Sequence, residues 1–417
     1  ELRRQRPLYE DGDDAPDLAP PKAPSLTLGV QPALYPGPIV TLTAFVDATS
    51  IPANAGGVGR YLLNLVPALA ARDDVELVVS SQARDAEMWS ERAPRARVEV
   101  VPRWARTVPG RLLWEQVALP RLARRVHADV LLAPHYTMPI AHSMPVVVTL
   151  HDATFFSHPQ LHSRLKRTFF RFWTRFSVRQ AAVCVTPSQA TLDEVRRATR
   201  ARLDSGVVAY HGIDTARFRP QGQNAQARAV TVFEGRGPYV AFVGTIEPRK
   251  NVVPLVEAFL RATDDERLAG WRLLIAGGAG WDDEATALLG SKRHSPRVQW
   301  TGFLDDGDLP GFLSGADLVA YPSDGEGFGL PVLEAMACGT AVLTTPRLAL
   351  PEVGGEVAYY AEPDGPSLEK ALSEILLDVR SRTTRAAEGP ARAADFTWER
   401  SADEHMAAFR AAVAVSR

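Results

Sequence analysis

From Ile39 the chain settles into short apolar runs separated by helix-length segments. Seven runs follow one another: IVTLTAFVD, VELVVSS, RVEVVP, ADVLLAP, PVVVTLHD, AAVCVTPS and GVVAYHGID. Strands alternating with helices in this way predict a parallel sheet with crossover helices. The first seven runs therefore define a doubly wound domain over residues 39–215. A polar block rich in Gly, Gln and Arg interrupts the rhythm, and residues 216–237 read as a linker. The rhythm restarts with YVAFVGT, WRLLIAGG, RVQWTGF, ADLVAYPS, TAVLTTP and VAYYAEP, a second α/β domain over 238–395. Residues 396–417 read as an amphipathic closing helix with Thr397 as its N-cap. Residues 1–38, rich in Pro, Asp and Ala, read as a disordered tail. The predicted fold class is α/β, two Rossmann-like domains facing a cleft where ligands bind at strand carboxyl ends.

Composition supports this reading. The 417 residues are 46% hydrophobic and 23% charged, values of a globular chain too long for one core. No window approaches the roughly 18 unbroken apolar residues of a membrane span. Nothing near Glu1 resembles a signal peptide, so the expected location is cytoplasmic. Cys184 and Cys338 sit in apolar runs and read as buried free thiols. The net charge of −2 hides an asymmetry. Residues 1–220 hold 28 Lys and Arg against 21 Asp and Glu, and the remainder 19 against 28. Within 95–180 the count is 14 against 4, which suggests an anionic partner for the front half.

The densest chemistry lies in SDGEGFGLPVLEAMACGTAVLTT, residues 323–345. A strand precedes it and a helix follows, so the turn Asp324–Gly329 sits at a strand's carboxyl end. The N–H groups of Phe328, Gly329 and Leu330 are then unpaired helix-start donors, an anion site that glycine leaves open. Glu326 precedes that start, and Glu334 lies a turn into the helix, where its carboxylate suits a ribose diol. The same spacing also fits a buried loop with two solvated glutamates.

This segment, running on to LPEVGGEVAYYAEPDG, resembles the E-x7-E signature of the retaining GT-B glycosyltransferases of family 4, which include bacterial mannosyltransferases. The resemblance covers most of 39–400. It implies that Glu326 contacts the donor sugar and Glu334 the nucleotide ribose.

Three further motifs fit that family. In VGTIEPRKN, Gly244 ends a strand, and Arg249 and Lys250 stand where a diphosphate needs countercharge. The resemblance implies Lys250 as a diphosphate ligand. Thr245 replaces the arginine that many members carry after the glycine, with Arg249 as the substitute charge. In SIPANAGGVGRY, Gly56, Gly57 and Gly59 precede a helix start, and their amides suit a phosphate. The pattern matches neither G-x-G-x-x-G nor a P-loop. The resemblance puts Gly57 against the donor and makes Asn54 and Arg60 candidate acceptor contacts. In VVVTLHDATFF, His151 and Asp152 end a strand, and strand neighbours face opposite ways. The resemblance makes His151 a catalytic-site residue touching the donor sugar.

No metal or other cofactor is expected. Asp306 and Asp308 form a D-x-D that reads as the start of a helix. On the acceptor side, SRLKRTFFRFWTRFSVRQ predicts a helix with an apolar stripe of Leu165, Phe169, Phe172, Trp173 and Phe176 beside a face of arginines. A helix packed on its sheet explains it, and so does a face for anionic membrane holding a lipid-linked acceptor, joined by the basic stretch 103–125. No nucleic-acid motif accompanies the charge. The expected activity is transfer of a sugar, mannose from GDP-mannose by first choice, to a glycan or lipid-linked acceptor. A UDP- or dTDP-sugar transferase, a GT-B sugar-nucleotide epimerase and a non-catalytic nucleotide-sugar binder are the alternatives.

Overall fold

The computed structural model describes residues 41–51, 56–201, 206–233, 237–291 and 296–416. The expected tail at 1–38 and the candidate Asn54 lie outside the described residues.

Every apolar run named above becomes a strand. The first sheet holds β1 (Leu42–Asp47), β2 (Val75–Ser81), β3 (Arg97–Val100), β4 (Val130–Ala133), β5 (Val146–Thr149), β6 (Val183–Thr186) and β7 (Gly206–Val208). Its order is β3-β2-β1-β4-β5-β6-β7, parallel throughout. The second holds β8 (Tyr239–Val243), β9 (Arg272–Ala276), β10 (Val298–Trp300), β11 (Leu318–Tyr321), β12 (Val342–Thr344) and β13 (Tyr359–Tyr360). Its order is β10-β9-β8-β11-β12-β13, also parallel. Each order reverses direction once, between β1 and β4 and between β8 and β11. A crevice opens beyond the strand ends at such a switch point. The segments that leave β8 and β11 are those carrying Gly244–Lys250 and Ser323–Leu330.

Strands in such sheets are covered on both sides, which is why their sequences are apolar at successive positions. Ala44 and Val46 face one buried cluster, while Phe45 faces another on the opposite side of the first sheet. A third cluster fills the second domain.

Two segments differ from expectation. Within the expected linker, Gln223–Ala229 forms a short helix. Ala225 and Ala229 lie against Gly311, where a side chain at 311 would meet the Ala225 carbonyl oxygen at 2.5 Å. The small residues allow a close helix contact that periodicity does not reveal. The helix Arg164–Gln180 forms as expected, but its buried seam, Trp173, Thr174, Ser177 and Val178, shares only Trp173 with the predicted stripe. Phe170 stacks on Phe155 with ring centres 4.3 Å apart. Leu165 and Phe172 remain 82% and 58% exposed. The predicted stripe therefore lies only partly on the packed seam, at Trp173 and Phe176. Both cysteines are buried, which pushes each thiol up to about 12.

The closing helix Trp398–Val415 is capped by Thr397 Oγ1, which accepts from the Arg400 N–H at 3.1 Å. It returns to the first domain, where Trp398, Met406 and Phe409 join Tyr61, Leu62 and Leu65 in one cluster. No described helix is long and apolar enough to cross a membrane. Phe409 is fully buried in that returning helix. Phe409→Ala should therefore cost about 3–5 kcal/mol of stability, measured by denaturant unfolding.

Candidate active site

On the second-domain wall, β11 ends at Tyr321 and the chain turns into the helix Leu330–Ala337. Gly329 precedes that helix with φ of +106°, a conformation costly for other residues. Pro331 occupies its first turn. Among the described residues, the N–H groups of Phe328, Gly329 and Leu330 take no protein acceptor. Three amides are thus left at a helix start, where the backbone dipole favours an anion.

Glu334 lies in that helix and is buried. Its Oε1 accepts from Arg60 Nη1 at 2.7 Å, while Oε2 is buried without a partner. Burial raises the Glu334 carboxyl above its ordinary range, and Arg60 opposes the rise. The free oxygen has the capacity to take a hydroxyl hydrogen. Arg60, expected as an acceptor contact, sits on the Glu334 carboxylate. It also lies 3.5 Å from Asp306, which pairs with Arg217 at 3.2 Å. Asp306 is a cleft bridge rather than a first-turn acid. Asp308 holds the N-cap position of Leu309–Gly315 without a capping side-chain bond. Among the described residues, no three His, Cys, Asp or Glu side chains gather as a metal site requires.

Glu326 accepts from Tyr321 Oη at 2.6 Å and Ser323 Oγ at 3.1 Å, and forms an ion pair with Arg249. Burial pushes its carboxyl up, but Arg249 and Lys250 outweigh that and hold it below the usual range. Arg249 also donates to Glu247 Oε1 at 2.8 Å and to the Gly325 carbonyl at 3.0 Å. This guanidinium, expected at a diphosphate, is committed to two carboxylates, a carbonyl and the Ser323 hydroxyl. Lys250 Nζ is 3.3 Å from Glu247 Oε1 and 5.7 Å from the centre of the Tyr321 ring. Burial lowers its pKa despite Glu247 and Glu326. Gly244, at φ +145°, leaves the space Lys250 fills: a side chain there would stand 2.5 Å from Nζ.

The opposite wall comes from the first domain. Gly57 opens the helix Gly57–Ala70 with nothing within 4 Å of where its side chain would stand. His151 follows β5, and its Nε2 donates to the Pro134 carbonyl at 2.7 Å. Burial lowers its pKa, against the Pro134 bond and Asp152. Asp152 turns elsewhere and accepts from the Thr154 N–H and hydroxyl. The walls meet at Gly327, whose carbonyl accepts from Ser188 Oγ at 2.7 Å and Thr191 Oγ1 at 3.1 Å. Glu352 of the second domain accepts from the N–H groups of Gln189 and Ala190 at 2.8 and 2.6 Å.

Sequence reasoning did not find Tyr321 or Glu247 as members of this site. Tyr321 read as an apolar position of a strand. Glu247 stood inside a quoted motif, but nothing local tied it to Arg249 and Lys250.

Residues 223–389 match the family model described as glycosyl transferases group 1, and residues 55–217 match the one described as glycosyltransferase family 4. The chain belongs to the GT-B glycosyltransferases of family 4. It is 29% identical over 273 residues to O-antigen chain mannosyltransferase B of Escherichia coli, covering 63% of this chain and 70% of that relative. It is 33% identical over 230 residues to the D-inositol 3-phosphate glycosyltransferase of Mycolicibacterium smegmatis, covering 53% and 50%. The chain thus spans about half the length of the inositol phosphate enzymes it matches. Among solved structures it resembles sucrose-phosphate synthase from Thermosynechococcus elongatus, with a TM-score of 0.70 at 21% identity, covering 88% of this chain and 98% of that one. It also resembles HepE of Anabaena in complex with UDP-glucose, at 0.65 and 18%, with the same coverage. At these identities the likeness is one of fold. As a member of the glycosyltransferases, the chain is an enzyme of the hexosyltransferase kind.

A side chain at Gly327 would lie 1.7 Å from the His151 carbonyl oxygen. Gly327→Ala should therefore push the walls apart and cost about 1–3 kcal/mol. Small-angle scattering should show a wider molecule, and thermal unfolding a lower midpoint.

Proposed function

We propose that this glycosyltransferase is a retaining, metal-independent enzyme that moves a hexose, mannose from GDP-mannose by first choice, onto a glycan or lipid-linked acceptor. The observation that carries the reading is Glu334, a buried carboxylate with one oxygen unpartnered, one helical turn beyond three free amides. That pair fits a ribose hydroxyl beside a diphosphate. A neighbour solved with UDP-glucose and a relative named a mannosyltransferase support a sugar-nucleotide donor.

In this reading the diphosphate rests on the Phe328–Leu330 amides, with the Gly57 loop opposite, and Lys250 moves onto it from Glu247. The bond from the sugar C1 to the phosphate oxygen breaks, and the nucleoside diphosphate leaves with the electron pair. The acceptor oxygen bonds to C1 on the same face, and its proton passes to the departing phosphate oxygen. Lys250 and the amides stabilise the charge that develops. Glu326, ionised and neutralised by Arg249, is suited to hold sugar hydroxyls rather than to attack C1. His151 adds the contact from the other wall. Arg249 acts by fixing Glu326.

The exposed Leu165 and Phe172 beside the arginines of their helix support a second part of the reading, a peripheral position on the inner face of the membrane. The protein should co-sediment with phosphatidylglycerol vesicles, and Phe172→Glu should abolish this. Failure of the unaltered protein to sediment at physiological salt removes the membrane part.

A panel of sugar nucleotides tests the activity. Released nucleoside diphosphate with glycosylated acceptor is expected. An altered or glycal sugar means epimerisation, and binding without turnover means neither. Glu326→Ala should lower kcat by about 100-fold or more, whereas Glu334→Ala should mainly raise the donor KM. Because burial raises the Glu334 pKa, GDP binding should weaken, as pH falls, from above the ordinary glutamate range. Arg60→Ala removes the opposing charge and should move that loss to still higher pH, read by titration calorimetry.

A further inference from the structure

Three imidazoles surround one tyrosine beneath the cleft, and a fourth stands behind one of them. The Tyr61 ring meets His151 edge to face at 5.2 Å, and lies 5.1 Å from His211 and 5.7 Å from His405. His135 stands 6.2 Å from His151. Tyr61 and His405 are wholly buried, and His405 belongs to the closing helix, 344 positions away in sequence.

The hydrogen-bond inventory fixes the direction of each contact. The Ser401 carbonyl can only accept, so His405 Nδ1 carries the hydrogen of that 2.7 Å bond. The lone pair then lies on His405 Nε2, and Tyr61 Oη donates to it at 2.7 Å. Having given its one hydrogen, Tyr61 Oη accepts from Thr149 Oγ1 at 3.0 Å. Thr149 ends β5, two residues before His151. On the far side, while the ring keeps its bond to Pro134 the hydrogen of His151 stays on Nε2, and Nδ1 holds a lone pair with no protein partner among the described residues. Burial holds His405 at about 4 and pushes His151 below its usual range, so both rings are neutral at neutral pH.

We propose that Tyr61 and His405 are positioning residues for His151. The Tyr61 hydroxyl, tied between the closing helix and the strand that leads to His151, holds its ring against the imidazole. The imidazole is thereby kept in the one orientation that presents Nδ1 to the donor. An apolar pair would fill this volume without two buried hydrogen bonds. What the polar pair adds is a fixed direction, since each bond must be made or leave a buried group unsatisfied. The proposal rests on the reading that His151 touches the donor sugar.

The test is designed to separate the two. In 15N-labelled protein, His151 is assigned by the loss of its signals in His151→Gln. The unaltered protein should show a single tautomer with hydrogen on Nε2. Tyr61→Phe keeps the ring and removes the hydroxyl, and should convert His151 to mixed tautomers, as should His405→Ala. His405→Gln keeps an acceptor for Tyr61 and should restore the single tautomer, which loss of packing alone would not produce. With GDP-mannose as the donor, Tyr61→Phe should lower kcat by about 10- to 100-fold with little change in KM. Added to His151→Ala, it should lower turnover no further. A single His151 tautomer persisting in folded Tyr61→Phe and His405→Ala overturns the proposal, and so do losses that multiply in the double variant. Full turnover by His151→Ala instead removes His151 from the donor site, and the tautomers then decide the positioning role alone.

Discussion

A carboxylate removed from water keeps its charge only if a cation is removed with it. Both glutamates of the cleft meet that condition, and they meet it differently. Glu326 is paired with Arg249 of its own domain, whereas Glu334 is paired with Arg60 of the other. The first pairing is independent of the cleft's width. The second exists only while the walls are together, so any widening acts on Glu334 before it acts on Glu326.

Close approach of the walls rests on small features. Gly327 brings the loop 323–329 within contact of the His151 backbone, and Ser188, Thr191 and Glu352 supply hydrogen bonds across the same seam. The two chain crossings between domains also run together, with the Ile213 N–H donating to the Phe396 carbonyl at 3.0 Å. His211 stacks on Trp398 at that crossing and packs against Phe328. The joint between the domains and the turn at 323–330 therefore share side chains. A rotation at the joint would be felt at the turn without any intermediary.

The sheets were legible in the sequence because a buried parallel strand is apolar over several successive residues, and each such run became a strand. The turn at 323–330 was legible because strand, glycines and helix are contiguous. Pairings between distant residues were not. Nothing in the local pattern distinguishes Arg60 on Glu334 from Arg60 facing an acceptor, and the guanidinium of Arg249 found carboxylates where a diphosphate was expected. The helix 164–180 shows the same limit: two adjacent faces are both apolar enough to pack, and the distant Tyr136 and Phe155 engage one of them. Tyr61 and His405 carry no shared signal at all, since their bond depends on the chain's return to the first domain.

The proposed transfer depends on an activated sugar's diphosphate lying at the start of the helix Leu330–Ala337. A crystal structure of the protein soaked with the sugar nucleotide it turns over measures this directly. The diphosphate should lie within hydrogen-bond distance of the Phe328, Gly329 and Leu330 amides, with the ribose on Glu334. A nucleotide bound elsewhere, or bound there with Glu334 still unpartnered at Oε2, would contradict it.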